Sequence, residues 1–247
     1  MKVIHLENLN YMNMMRLNIK KTHESNLFLH NNIVYKIFKR NKVKSLTNKE
    51  NKIEILHELL KEKNAIYPLK KIYYNNSFVG YTMPYIAGYT LDTYTFKSPK
   101  ILLPLLYDFK RELEKMHHLG IYLGDIHPGN IIIDKNGMAH ACDLDNSSVL
   151  GYPHDCFRNF QEEYLQFHDA DIYLDYFAFN VVCVSLLTKI VEPYVIDQMK
   201  RNSLFSKKLN PNAFEKMQNF EIPEGSPYIL DHLEESFTKK RVLSRFR

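Results

Sequence analysis

The chain has 247 residues, 45% apolar and 25% charged, with a formal net charge of +5. That balance excludes a disordered or fibrous polymer and leaves room for one large domain or two small lobes around a sizeable core. The positive charge is mild and no basic stripe is interleaved with aromatic residues, which argues against a nucleic-acid groove; Lys39-Arg40-Asn41-Lys42-Val43-Lys44 and Lys239-Lys240-Arg241 read as solvated surface.

The first 79 residues contain no glycine. Leu27–Leu29 and Ile33–Phe38 flank His30-Asn31-Asn32 and predict a hairpin. In its second strand Val34, Lys36 and Phe38 share one face by period 2. A lysine between two apolar neighbours on that face either works inside the fold or snorkels at a sheet edge. Thr47-Asn48-Lys49-Glu50 has the form of a capping box and predicts a helix to about Lys63, with Ile53, Leu56 and Leu60 as its apolar stripe. Leu69–Tyr74 and Ser77–Met83, separated by Asn75-Asn76, predict a second hairpin, followed by Met83-Pro84-Tyr85-Ile86-Ala87-Gly88.

Ser98-Pro99 opens a long helix over Lys100–Leu119, closed by Gly120 and carrying the broad stripe Leu102, Leu105, Leu106, Phe109, Leu113 and Met116. Beyond it, Ile131–Ile133 and Met138–Cys142 predict a third hairpin around Lys135-Asn136-Gly137. With Asn136-Gly137 as a two-residue turn, Asn130 falls directly across from Asp143, roughly 5 Å away. Two such oxygen-bearing side chains can share one Mg²⁺ with phosphate oxygens. Asp125 lies on the loop just before. Asp175–Val181 opens an apolar helix to about Leu187. The longest apolar run, Phe177–Leu187, is too short to span a bilayer and is interrupted by Asn180 and Ser185. The N-terminus carries no apolar leader-like run, and Cys142, Cys156 and Cys183 lack CxxC or His-paired spacing. They argue against a disulfide scaffold or a zinc site and for a reducing cytoplasm.

Asp125, Asn130 five residues later and Asp143 together resemble the catalytic loop and metal-binding Asp of the protein-kinase-like superfamily. Alone, the Asp-x-x-x-x-Asn match equally describes a surface hairpin with acidic ends. The resemblance extends over roughly residues 20–190. Ile33-Val34-Tyr35-Lys36 is similar to the strand carrying the phosphate-gripping lysine. Met83–Gly88 resembles the gatekeeper and hinge, Met116–Ile121 the lead-in to the catalytic loop, and Asp175 the Asp that braces that loop from below.

The resemblance implies an α+β, bilobal protein-kinase-like fold. Residues 1–86 would form an antiparallel β lobe with one main helix, and residues 87–247 a reduced, mostly helical lobe. It implies ATP and Mg²⁺ as cofactors and transfer of the γ-phosphoryl to a hydroxyl, with Ser or Thr of a protein as leading acceptor. Asp125 would be the base and Lys36 the phosphate ligand. Glu54 would be the partner of Lys36, chosen over Glu50 because the cap already accounts for Glu50. Met83, Pro84 and Ile86 would face adenine, and Asn130 and Asp143 would hold the metal. His117 reads as a hydrogen-bonded structural residue.

Three departures from the pattern matter. The segment expected over the phosphates, about Ile19–Asn26, has no glycine, so Thr22 or Ser25 would have to assist Lys36. Leu123 and Gly124 stand where His and Arg precede the base, so activity is expected not to need a phosphorylated loop. Asp143 is followed by Leu144-Asp145 rather than Phe-Gly, which removes the usual switch. Gly124-Asp125-Ile126-His127-Pro128-Gly129-Asn130 is similar to aminoglycoside-type phosphotransferases and lipopolysaccharide or RIO-like kinases. A small-molecule kinase, with a roof over Asp125 from residues such as Asp155, Glu162 and Glu163, is therefore the first alternative. A pseudokinase binding module is the second.

Overall fold

The computed structural model describes residues 1–8, 14–17, 24–61, 65–94, 97–155, 162, 164–166, 168–169, 172–188 and 211–233. Thr22 and most of the glycine-free 19–26 stretch, Cys156, Glu163 and Lys239–Arg241 lie outside these residues. The chain is a mixed α+β protein. Strands β1 (Lys2–His5), β2 (Met15–Arg16), β3 (Ser25–His30), β4 (Ile33–Phe38), β5 (Lys70–Tyr74) and β6 (Ser77–Pro84) form one sheet in the order β1-β5-β6-β4-β3-β2.

Both hairpins expected in this region form, and asparagine closes them. Asn31 and Asn32 have φ of 48° and 58°, and Asn75 and Asn76 have 46° and 57°. Two successive left-handed residues make the hairpin turn whose twist matches the strands, and asparagine tolerates that conformation best after glycine. β1 corrects the expectation of an all-antiparallel sheet, because it runs parallel to β5. It is added at the sheet edge from the chain's start, and three of its four side chains are exposed, so no alternating pattern announces it. Gly80, the first glycine, sits across from Ile37 on β4. A Cβ there would lie 2.0 Å from the carbonyl oxygen of Lys36, so glycine is what lets β6 press against β4 beside that lysine.

Helix α1 (Leu46–Leu60) starts earlier than the Thr47 capping box predicts. Ser45 is extended and its Oγ accepts from the backbone N–H of Asn48 at 3.2 Å, so Asn48 rather than Glu50 is the third helical residue. Glu50 is thereby released from the cap. The buried face of α1 is Lys49, Lys52, Ile53, Leu56 and Leu60. Ile53 joins Phe38, Phe78 and Tyr81 in a small cluster against the sheet, whereas Leu56 and Leu60 enter the main core. One helix thus ties the sheet to the rest of the chain.

After β6, residues 85–87 lead into β7 (Gly88–Thr90), and Tyr85 N–H donates to Asn32 C=O at 3.0 Å. The main core forms around α2 (Pro99–His118) and α3 (Ile172–Thr188), with α4 (Pro211–Gln218) beside them. Leu102, Leu106, Phe109 and Leu113 of α2 pack with Leu174, Phe177, Phe179 and Val182 of α3, each nearly or fully buried. Each such side chain contributes on the order of 1.5–3 kcal/mol of burial free energy. Asn180, the polar break in α3, is buried and satisfied: its Nδ2 donates to Pro227 O at 2.8 Å and its Oδ1 accepts from Ile229 N–H at 2.8 Å. Among the described residues no helix is long and apolar enough to cross a membrane.

Between the two core helices lie β8 (Ile121–Tyr122), β9 (Ile131–Asp134), β10 (Ala139–Ala141) and β11 (Ser148–Val149). β9 pairs with β10 and with β7, and β8 pairs with β11. The β9–β10 hairpin forms, but its register differs by one residue from the expectation: Ala141 faces Ile131, and Cys142 N–H donates to Asn130 O at 3.0 Å. The turn is three residues long because the Asp134 carboxylate accepts from both Asn136 N–H and Met138 N–H at 2.8 Å. Only Gly137, at φ 79°, is left-handed there. Asn130 is therefore not directly across from Asp143.

Glu112 of α2 is buried, and its Oε1 has no hydrogen-bond partner among the described residues. Burial raises its carboxyl pKa, against the opposing pull of Lys115 and His140. A raised folded-state pKa favours the fold below the unfolded value of about 4.3 and costs stability once pH rises through the folded value. Glu112→Gln is accordingly expected to raise stability at pH 7 by about 1 kcal/mol. The gain should vanish below about pH 4, where the wild-type carboxyl is protonated in both states. Urea titrations at the two pH values check this.

Candidate functional site

Lys36 is 3% exposed, with its side chain beside the rings of Phe38 and Tyr81. Its ammonium is ion-paired with Asp143, and with Asp145 Oδ1 at 2.5 Å. Burial pulls the Lys36 pKa down, but Asp143 and Asp145 more than offset this and hold it well above the usual lysine range. The site therefore begins with a cation permanently on, delivered by a strand to two carboxylates more than a hundred residues away in sequence.

Asp143 follows β10 with a left-handed backbone (φ 65°, ψ 34°), which turns the chain into the short helical turn Leu144–Asn146. Its other oxygen accepts from Asn146 Nδ2 at 2.9 Å. Asp143 lines one small cleft together with Asp125, Asn130, Leu123, Ile126 and Cys142. Despite the shifted register, Asn130 and Asp143 thus border the same space. Asn130 Nδ2 donates to Asp125 O at 3.1 Å and to Asp125 Oδ2 at 3.2 Å, so amide and carboxylate are locked together. The Cys142 thiol is pushed up by burial and by adjacent Asp143, which keeps it protonated.

The loop carrying Asp125 is anchored from below. Asp175 is fully buried and accepts from Leu123 N–H and Gly124 N–H, both at 2.7 Å, and pairs with His117 Nε2 at 2.9 Å. This is the bracing contact expected of Asp175, and it gives His117 its structural role. Gly124 has φ +71°, and a Cβ there would meet the His154 ring at 2.2 Å, so conformation and space both require glycine. His127 Nδ1 accepts from Gly129 N–H at 3.1 Å. The neutral ring then carries its proton on Nε2, which lies 3.9 Å from Asp125 Oδ2.

Glu54 does not reach Lys36. It pairs with Lys71 at 2.7 Å and its side chain is 54% exposed. Glu50 is bound to Lys71 and to the Tyr73 hydroxyl. The physical reason is the phase of α1: the face that turns Ile53, Leu56 and Leu60 inward also carries Lys49 and Lys52, which leaves Glu50 and Glu54 to meet Lys71 of β5. Lys49 Nζ contacts Asp145 Oδ2 at 2.9 Å, Asp155 at 3.0 Å and the side-chain oxygen of Asn146. Lys52 Nζ contacts Asp155 at 3.0 Å. Asp145, 0% exposed, also accepts from Tyr81 Oη at 2.7 Å.

This network of Lys36, Lys49 and Lys52 with Asp143, Asp145 and Asp155 was missed from sequence. The signal was present: Lys49 and Lys52 continue the i, i+3, i+4, i+7 stripe of Ile53, Leu56 and Leu60. Asp155 is held by these lysines, and Glu162 is exposed. Met83, Pro84 and Ile86 lie at the end of β6 and in the segment after it.

Among the described residues no group of three or more His, Cys, Asp and Glu is arranged to hold a metal ion. Asn130 and Asp143 offer one amide oxygen and one carboxylate, a donor set that suits Mg²⁺ when phosphate and water complete the octahedron. A second, wider hollow of about 650 Å³, lined by residues including Tyr164, His168, Asp169 and Glu221, shares no residue with this cleft. A scan against protein-family models and a search of curated proteins found nothing that matches this chain.

Proposed function

We propose that this chain is a bilobal, kinase-like phosphotransferase that moves the γ-phosphoryl of ATP to a hydroxyl, with Ser or Thr of a protein as the leading acceptor. The observation that carries the reading is the double placement of Asp143. It is ion-paired with the strand lysine Lys36 and lines the same cleft as Asp125 and Asn130. A phosphate-gripping cation, a two-oxygen metal ligand set and a carboxylate positioned beside them are what phosphoryl transfer requires.

In this reading Lys36 grips the α- and β-phosphates, and Asn130 and Asp143 hold Mg²⁺. The metal, when bound, neutralises charge that develops on the phosphoryl oxygens. The new bond forms between the acceptor oxygen and the γ-phosphorus, and the bond from that phosphorus to the bridging oxygen of ADP breaks. The acceptor proton goes to Asp125. Asn130 aims that carboxylate through its Nδ2 contact, and the Asp175 brace fixes the loop that carries both. Residues 83–86 receive adenine. Glycine rather than arginine stands immediately before Asp125, so the reading requires no phosphorylated loop for activity.

Asp125→Asn is the test. With labelled ATP and Mg²⁺ the wild type is expected to label Ser or Thr residues of itself or of an added protein, read by mass spectrometry. The variant should lose at least ~10²-fold in rate while binding ATP as before. Retained transfer would remove Asp125 from the base role. Labelling of small alcohols or aminoglycosides, but never protein, would move the acceptor to the small-molecule class suggested by the Gly124–Asn130 wording.

A further inference from the structure

Lys36 needs something to hold it in place when Asp143 turns to a metal, and no carboxylate of α1 can do so. We propose that Asp145 is the positioning residue for Lys36, taking the place of a helix glutamate, and that Lys49 links α1 to it with the polarity of the usual helix contact reversed. The inference rests on the phosphotransferase reading for its consequence but not for its geometry.

Asp143 and Asp145 differ in the way two such roles require. The Asp143 side chain is 32% exposed and borders the cleft, so it is accessible to an arriving ion. The Asp145 side chain is 0% exposed, and both its oxygens are occupied within the protein, Oδ1 by Lys36 and Tyr81 and Oδ2 by Lys49. Its turn is fixed by Ser147 Oγ and Ser147 N–H, which both donate to Leu144 O, at 2.6 and 3.0 Å. A buried carboxylate between two buried ammonium groups is not free to leave, because any departure strands a charge.

When Asp143 exchanges Lys36 for metal, Asp145 keeps the ammonium near the phosphates. Lys49 also grips the Asp145 carbonyl at 3.2 Å and the Asn146 side chain, so movement of α1 moves the anchor. Glu54, bound to Lys71 on the sheet, has no part in this.

The test reads Lys36 directly. Reaction with an amine-selective acetylating reagent, followed by mass spectrometry, gives its rate in the absence of any nucleotide. Asp145→Asn is expected to raise that rate about tenfold, since Lys36 keeps only Asp143, and to weaken Mg·ATP binding about tenfold in calorimetry. Glu54→Gln should change neither. If Asp145→Asn does not fold, the charge-balanced Asp145→Asn/Lys49→Met pair takes its place with the same expectation. Unchanged Lys36 reactivity in either variant, or an equal effect of Glu54→Gln, overturns the proposal. If the wild type binds no Mg·ATP, the phosphotransferase reading fails, while the acetylation rates still decide whether Asp145 anchors Lys36.

Discussion

Replacing Asp143 by alanine is expected to abolish the rise in melting temperature that ATP with Mg²⁺ gives the wild-type protein. Asp143 contributes one of two protein oxygens to the proposed metal site, and Asn130, a neutral amide, cannot hold a divalent cation by itself. Lys36 would remain, gripped by Asp145, and would still attract phosphate. The expected signature is therefore specific: Mg²⁺-dependent stabilisation disappears, whereas weak Mg²⁺-independent stabilisation by ATP persists. Ligand stabilisation follows the logarithm of concentration over Kd, so a hundredfold loss of affinity removes about 2.7 kcal/mol at saturating nucleotide. An Asp143→Ala protein that keeps its full Mg²⁺-dependent shift would show that the metal is held elsewhere.

Asp175→Ala is expected to be the most destabilising single change near the site, at about 3–5 kcal/mol by urea unfolding. Asp175 is fully buried and its two oxygens satisfy Leu123 N–H, Gly124 N–H and His117 Nε2. Removing it strands two backbone donors and a histidine in a dry interior, each worth on the order of 1–3 kcal/mol when unpaired. Domains of this kind are stable by only about 5–15 kcal/mol in total, so the variant should sit close to unfolding. Its surviving folded fraction should also lose the geometry of Asp125, because Leu123 and Gly124 are the residues immediately before it. A loss below about 1 kcal/mol would mean that water replaces the carboxylate and that the brace is dispensable.

Much of this architecture was legible because particular residues left little choice. Alternation put Lys36 on one face with Val34 and Phe38 but left the interior and a sheet edge both open, whereas the stripe from Leu102 to Met116 defined α2. The paired asparagines closed both sheet hairpins. The errors came from side chains that outbid local rules. Asp134 captured two backbone N–H groups and lengthened the turn that Asn136-Gly137 was expected to close alone, which moved the register by one residue. Ser45 capped α1 ahead of Thr47, which freed Glu50 from the cap, and the face that buries Ile53, Leu56 and Leu60 carries Lys49 and Lys52 inward to Asp145 and Asp155 while Glu50 and Glu54 meet Lys71. A lysine within an apolar stripe is usually assigned to the rim of a helix. Here Lys49 and Lys52 are nearly or fully buried because carboxylates far along the chain meet them, and no local pattern encodes that meeting. The parallel pairing of β1 with β5 was hidden for the same reason: it is a contact between distant segments, one of them largely exposed.

The central claim is that a metal–nucleotide binds in the cleft bordered by Asp125, Asn130 and Asp143. Mn²⁺ can stand in for Mg²⁺ and broadens the NMR signals of nearby nuclei. With ATP present, the amide resonances of Asp125, Asn130 and Asp143 are expected to broaden at substoichiometric Mn²⁺, while those of Tyr164 and His168 beside the second hollow stay sharp. Broadening centred on the second hollow, or none at the three cleft residues, would contradict the account.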